Sequence, residues 1–144
     1  ITLFDATSII LDEIDGTGSV IVDAGDDITQ RGTGSVEIEA NTASFTGDNI
    51  TLANASNTLG EVTAAAGVGS VTITEDEHIT IDNITAVTVV SLTAAGSILD
   101  HASDTVADIT AATVDLNAVM AMFIYHCISF NHSFQRTERG NKNL

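Results

Sequence analysis

The chain has 144 residues, of which 44% are hydrophobic, and a formal net charge of −16 from 20 acidic residues against four Lys and Arg. This charge argues against binding to nucleic acid or to anionic membranes, because both require clustered Lys and Arg. A single cysteine, Cys127, excludes an internal disulfide.

The apolar residues are of the kinds that favour strands. The sequence has no Trp and no Pro, and four of its six aromatic residues lie after residue 120. The core of the preceding part must therefore consist almost wholly of Ile, Val, Leu and Ala. Branching at Cβ suits a pleated sheet, and without proline every backbone N–H can donate to a ladder.

The beginning of the chain returns later in the sequence. Residues 1–30 align without a gap with residues 71–100, so that Ile1 falls on Val71, and eight Ile, Leu or Val positions of the two segments coincide. Self-similarity at a fixed offset indicates a repeat architecture.

Short pairs of aliphatic residues, separated by one residue, recur along the chain. This alternation predicts strands with one buried face. The pairs are Val20/Val22, Val36/Ile38, Ile50/Leu52, Val71/Ile73, Ile79/Ile81, Val90/Leu92 and Val114/Leu116.

Turn residues precede these pairs at short and fairly regular intervals. Units this short cannot bury their own apolar face, so stacking on neighbours is required. The sequence therefore predicts an all-β parallel β-helix, or solenoid, of about seven coils and a rod of roughly 34 Å. The competing fold is an antiparallel sandwich with short strands. The predicted coil starts are Ser19, Ser35, Asn49, Ser70, Thr88 and Thr105.

One part of the chain is similar to a known family. Residues 50–86, ITLANASNTLGEVTAAAGVGSVTITEDEHITIDNITA, followed by SLTAAGSILD at 91–100, resemble the repeats of large bacterial exoproteins of the filamentous haemagglutinin type. The resemblance covers roughly residues 1–118. It implies a right-handed parallel β-helix that is secreted or associated with the outer membrane at the cell surface. It also implies an adhesive role, with glycans or proteins of host or neighbouring cells as partners.

The repeat pattern ends near residue 119. We predict a repeat segment over residues 1–118 and, over residues 119–144, a tail that is a cap or foreign sequence. The apolar run from Ala118 to Ser129 is shorter than the roughly 20 residues that span a bilayer, so an interfacial helix is a further alternative for the tail. No membrane insertion of the repeat segment is expected. Because the chain starts at Ile1 in mid-pattern, we expect it to be part of a longer parent chain.

Three acidic clusters are candidate calcium sites. Calcium prefers six to eight oxygen ligands, and the glycine-aspartate nonapeptide of calcium-binding β-rolls is missing. We therefore interpret the clusters as solvated turn charges. They are Asp12, Glu13 and Asp15; Asp26 and Asp27; and Glu75, Asp76 and Glu77.

Histidine and cysteine raise the possibility of zinc or of a thiol nucleophile in the tail. His126 and Cys127 are adjacent and cannot easily point at one metal, and no second Cys joins them and His132. His78 and His101 lie among turn residues and are interpreted as solvated. The sequence thus predicts no metal site and no cofactor.

Four matches to the glycosylation sequon begin at asparagines. In a chain rich in Asn and Thr, we interpret them as corner residues that support turns. They are Asn49, Asn54, Asn83 and Asn131.

The function predicted from these features is a structural and adhesive rod segment without catalysis. The alternative is a fragment of a carbohydrate-active β-helix enzyme whose catalytic coils lie elsewhere. Arg31 is the sole Arg or Lys before residue 120, so no catalytic residues can be assigned.

Overall fold

The computed structural model describes residues 1–32, 37–101, 107–120, 122–123 and 128–138, the last two ranges by their backbone alone. These residues form fifteen strands and no helix. The strands are β1 (Thr2–Asp5), β2 (Ile9–Leu11), β3 (Ile14–Asp15), β4 (Ser19–Ala24), β5 (Ile28–Gln30), β6 (Ile38–Gly47), β7 (Ile50–Leu52), β8 (Thr58–Ala66), β9 (Val71–Glu75), β10 (Ile79–Ala86), β11 (Val89–Ala94), β12 (Ile98–Asp100), β13 (Ile109–Ala118), β14 (Met122–Phe123) and β15 (Ile128–Glu138).

Every pairing between the described strands is parallel. The protein is an all-β parallel solenoid of about five turns, which confirms the predicted fold class. The antiparallel sandwich is wrong. Asp15-Gly16 is a dipeptide typical of hairpin turns. It forms no hairpin here, because β3 pairs in parallel with β6.

Two ladders run the length of the stack. The first ladder contains β1, β4, β6, β8, β10, β13 and β15, in that order. The second ladder contains β2, β5, β7, β9, β11, β13 and β15. A third set of pairs joins β3, β6 and β8 at one end and β10, β12 and β14 at the other.

The register shows which residues lie one turn apart. Successive partners along the second ladder are Ile9, Ile28, Ile50, Val71, Val90 and Val114. The predicted seven coils are not confirmed, since the structure has about five turns. The predicted coil starts lie on two different faces of the solenoid, so the distances between them do not all correspond to one turn. Ser19 begins a strand of the first ladder, whereas Asn49 and Ser70 precede strands of the second. Ser35 and Thr105 lie outside the described residues.

The internal repeat of the sequence aligns strands that belong to different faces of the solenoid. It maps β1 of the first ladder onto β9 of the second, and β4 onto β11. It also maps β2 of the second ladder onto residues 79–81 of β10, which belong to the third set. The repeat therefore corresponds to three turns plus one further face. Every face has the same alternation of a short strand and a turn. The repeat is therefore one of apolar and turn positions and not of residue identity.

Aliphatic side chains fill the interior of the stack. Ile28, Ile50, Val71, Val90 and Val114 form one fully buried column along the second ladder. Such burial contributes about 1.5–3 kcal/mol for each large aliphatic side chain. All the predicted inward pairs that lie wholly within the described residues are buried.

The prediction that Val20, Ile50 and Val71 point inward is confirmed, since all three are fully buried. Ile50 pairs with Val71 in the second ladder, whereas Val20 pairs with Ala43 in the first. Val36, which shares the prediction, lies outside the described residues.

Three long strands, β6, β8 and β10, each continue from one face of the solenoid to the next, with no Gly-Asp turn between the faces. In β6, β8 and β10 the alternation of buried residues is interrupted by two consecutive residues that are not buried. In β10 these are Asp82 and Asn83, where the register also shifts against β8. In β8 they are Gly60 and Glu61. This corner therefore carries Glu61 and Asp82 in successive turns.

Gly25 is required by the close approach of two turns. A Cβ atom at this position would lie 2.2 Å from the carbonyl oxygen of Ala6. Because that obstacle is backbone, we expect Gly25→Ala to lower the free energy of unfolding by about 1–3 kcal/mol, the typical cost of overpacking. Urea unfolding measures the loss. Gly18→Ala is the matched control, since a Cβ there meets nothing within 4 Å. Equal losses of unfolding free energy in the two variants would contradict the close approach of Gly25 to Ala6.

Candidate functional site

The first acidic cluster is divided between two environments. Asp12 forms an exposed ion pair with Arg31, with 3.3 Å between Asp12 Oδ2 and Arg31 Nη1. Exposed pairs of this kind contribute little to stability, about 0–1 kcal/mol. The other carboxylates of the cluster face a cleft of about 120 Å³ that is lined by Glu13, Ile14, Asp15, Glu37 and Glu39. Among the described residues that line this cleft, the side chains that could bind a cation are all carboxylates.

The second acidic cluster belongs to a corner between the two ladders. Asp26 is exposed, and Asp27 Oδ1 accepts a hydrogen bond of 2.8 Å from the side-chain amide of Asn49 in the next turn. Asn49 Oδ1 in turn accepts from the backbone N–H of Ser70 at 3.1 Å. The interpretation of Asn49 as a corner asparagine is confirmed. Its amide is used to connect three successive turns.

The other sequon asparagines occupy different settings. Asn54 Oδ1 accepts the backbone N–H of Ser56 at 3.0 Å and so closes a local turn. Asn83 is exposed at the corner of β10. Asn131 lies in β15, where the structure describes the backbone alone.

Glu75 contradicts the interpretation of the third cluster as solvated. It is the last residue of β9 and continues the inward positions of Val71 and Ile73, so it is only 2% exposed. Both of its carboxylate oxygens lie 3.0 Å from the backbone nitrogen of Leu59, which donates to them. Burial raises the pKa of Glu75 to about 8, although backbone hydrogen bonds from Leu59 and its own turn act in the opposite direction.

A buried amide lies next to this corner. Asn57 Oδ1 accepts from the backbone N–H of Ile38 at 3.1 Å and from Gln30 Nε2 at 2.6 Å. Asn57 Nδ2 donates to Gln30 Oε1 at 3.0 Å and to the carbonyl of Thr74 at 3.1 Å. These contacts satisfy backbone groups of neighbouring turns, and we assign Asn57 a structural role.

His126 and Cys127 lie outside the described residues, and His132 is described by its backbone alone. Of the two turn histidines, His78 is exposed, and its Nδ1 accepts the backbone N–H of Ser97 at 2.8 Å.

The best candidate site is a cluster of Glu61, Asp82 and His101. His101 Nε2 lies 3.4 Å from Glu61 Oε2, and His101 Nδ1 lies 3.6 Å from Asp82 Oδ1. One ligand atom from each residue can be chosen so that all three lie within 4.8 Å of one another. The side chains remain accessible, with His101 50% exposed. The cluster therefore combines an imidazole and two carboxylates at the surface of the stack.

The fold positions each member of this cluster. Glu61 and Asp82 lie at the corners of β8 and β10, and His101 directly follows β12. The backbone N–H of His101 donates to the carbonyl of Ile81 at 2.9 Å, which holds the histidine above the corner of β10. Thr63 Oγ1 donates to Asp82 Oδ2 at 2.9 Å and orients that carboxylate.

Sequence reasoning did not bring these residues together. His101 was interpreted as solvated, and neither Glu61 nor Asp82 belongs to an acidic cluster in the sequence. The steps from Glu61 to Asp82 and from Asp82 to His101 each match the length of one turn. A search for metal-ligating residue types at that spacing could have found them, but it requires the register.

Comparison with known proteins gives no relative for this chain. No protein-family model, no curated protein and no solved structure matches it.

Within the described part of the chain, no helix is long and apolar enough to cross a membrane.

Proposed function

We propose that this chain is a structural and adhesive module of an exported bacterial surface protein and that it performs no reaction. The observation that carries the proposal is the pair of unbroken parallel ladders, which stack every described turn in register on the next. The resemblance of residues 50–100 to haemagglutinin-type repeats supports the exported, adhesive setting. We infer right-handed winding, because right-handed crossovers predominate between parallel strands.

The outer faces suit weak, repeated contacts. Along the second ladder, Thr29, Thr51, Thr72 and Ser91 pair in successive turns, and the last three of them lie between buried neighbours. Strand spacing places such hydroxyls about 4.8 Å apart along the rod. Single hydroxyl contacts with a glycan or protein are weak, but many of them acting together give useful avidity.

The positions of the carboxylates give no support to the alternative of a carbohydrate-active enzyme. Asp26 and Asp27 precede a strand of the second ladder, whereas Glu75 ends one and is buried. Glycosidases require two carboxylates that flank the same scissile bond. Arg31, the basic residue of this part of the sequence, is paired with Asp12.

Charge indicates which partners to expect. A body with a net charge of −16 repels sulfated or otherwise acidic polysaccharides. We therefore propose neutral glycans or basic protein surfaces as partners.

The proposal can be tested by binding to glycan arrays and to cells, with the protein displayed on beads at low and high density. We expect binding to neutral glycans at high density alone, and no cleavage of any polysaccharide. Two variants with the same change in charge locate the surface: Thr51→Glu with Thr72→Glu on the second ladder, and Thr46→Glu with Ala65→Glu on the first. One of them should abolish binding.

Two outcomes would contradict the proposed function. The first is binding that neither double variant affects. The second is polysaccharide turnover that survives purification and is lost on replacing Asp26, Asp27 or Glu75.

A further inference from the structure

We propose that Glu61, Asp82 and His101 bind a divalent transition-metal ion, with Zn²⁺ as the representative. An imidazole nitrogen with carboxylate oxygens is a donor set typical of Zn²⁺, whereas Ca²⁺ and Mg²⁺ prefer oxygen alone. This site is independent of the adhesive role proposed above.

The three ligand groups lie close enough together to bind one ion. One ligand atom from each residue lies within 4.8 Å of the other two, with 3.4 Å between Glu61 Oε2 and His101 Nε2 and 3.6 Å between Asp82 Oδ1 and His101 Nδ1. Ligand atoms held at about 2.0–2.1 Å from one tetrahedral ion are roughly 3.3–3.4 Å apart, so the two carboxylates must approach the same ring nitrogen. Glu61 and Asp82 face different ring nitrogens, so the exposed ring must turn for one nitrogen to bind. Three protein ligands leave the fourth position open to water.

The surroundings already orient one ligand. The hydroxyl of Thr63 holds Asp82 Oδ2, so that Oδ1 remains directed at His101. Hydrogen bonds of this kind to metal-binding carboxylates typically change affinity by about 10- to 100-fold. Two carboxylates and a neutral imidazole also balance the charge of a divalent cation, in a protein whose net charge of −16 attracts cations.

The ion would connect three successive turns. Glu61, Asp82 and His101 come from β8, β10 and the end of β12, which are stacked along the solenoid. A ligand that binds the folded state alone stabilises it in proportion to its occupancy. At a free concentration 100 times the Kd, the folding equilibrium should shift by about 100-fold, which corresponds to a Tm rise of about 5–10 °C.

The test is calorimetric titration of the full chain with ZnCl₂. The tail contains further potential ligands, so the titration uses a chain that carries His126→Asn, Cys127→Ser and His132→Asn. We expect one Zn²⁺ per chain, binding at least 10-fold tighter than Ca²⁺, and a rise in Tm. Cobalt(II) bound to the same chain should show the visible absorption of a tetrahedral site.

Single substitutions in that chain decide the assignment. His101→Asn and Asp82→Asn should weaken Zn²⁺ binding by about 100-fold, and Thr63→Val by about 10-fold. His78→Asn is the matched control, since His78 is also an exposed turn histidine, and it should leave the affinity unchanged. Circular dichroism verifies that each variant retains its strands.

Three results would overturn the proposal. One is affinity that does not change in His101→Asn or Asp82→Asn. Another is equal affinity for Zn²⁺ and Ca²⁺, which would indicate general attraction of cations to an acidic surface. The third is loss of all binding when the tail residues are replaced.

Discussion

Replacing Ile50 with alanine is expected to lower the free energy of unfolding by about 3–4 kcal/mol, within the range for truncating a buried Ile. Ile50 is fully buried in β7, between Ile28 of the preceding turn and Val71 of the following one. Stacked turns on both sides restrict collapse of the cavity, so most of the lost contacts are not replaced. Urea unfolding followed by circular dichroism measures the effect.

Ile10→Ala is the matched control for this measurement. Ile10 lies in β2 of the same ladder, but its side chain is 67% exposed. Surface substitutions usually change stability by no more than about 0.5 kcal/mol. If the two variants lost the same stability, Ile50 could not point into the core of the stack.

Glu75 is expected to make the protein less stable as pH rises. Its native pKa of about 8 lies above the ordinary value of 4.5 because the side chain is buried. Between pH 4.5 and 8 the Glu75 carboxyl is ionised in the unfolded chain but still protonated in the folded chain. The free energy of unfolding therefore falls as pH rises from 4.5 to 8. One pKa unit corresponds to about 1.4 kcal/mol, so the total is on the order of 3–5 kcal/mol.

The Glu75→Gln variant isolates this contribution. It should reduce the fall in unfolding free energy between pH 4.5 and 8 and should be more stable than the unmodified chain at pH 8. Glu77→Gln, two residues away at an exposed position, should retain the original pH dependence. If Glu75→Gln and the unmodified chain showed parallel pH profiles, Glu75 would not be buried as described.

The sequence predicted which residues point inward, because alternation has a period of two on any strand. Val71 and Ile73, for example, are buried as their spacing requires. The same alternation continues to Glu75, which composition assigned to the solvent. Backbone donors from Leu59 and the turn make its burial possible, and Leu59 comes from a different turn of the chain.

The number of turns could not be predicted in the same way. Turn residues such as Gly and Asp mark some corners, but β6, β8 and β10 pass their corner within a strand. A change in alternation at Asp82 and Asn83 is a weak signal in a sequence rich in Thr and Ala. Turn residues mark corners between faces as well as the starts of new turns, so counting them gave seven coils where the structure has about five turns.

The candidate metal site depended on the register alone. Glu61, Asp82 and His101 are far apart in the sequence, and each looks like an ordinary polar residue of a turn or strand. They meet because successive turns of nearly equal length place them at one corner. No local motif contains that information.

The stacking of turns can be measured most directly by electron–electron distances between spin labels, in a chain with Cys127→Ser. One label is placed at Ile10 and the other at Ser91 or Asp115, which belong to the same outward column of the second ladder. Four and five strand spacings predict distances of about 19 and 24 Å between the labelled positions. The parallel solenoid requires the second distance to exceed the first by about one strand spacing, close to 5 Å. A distance from Ile10 to Asp115 equal to or shorter than that from Ile10 to Ser91 would contradict it.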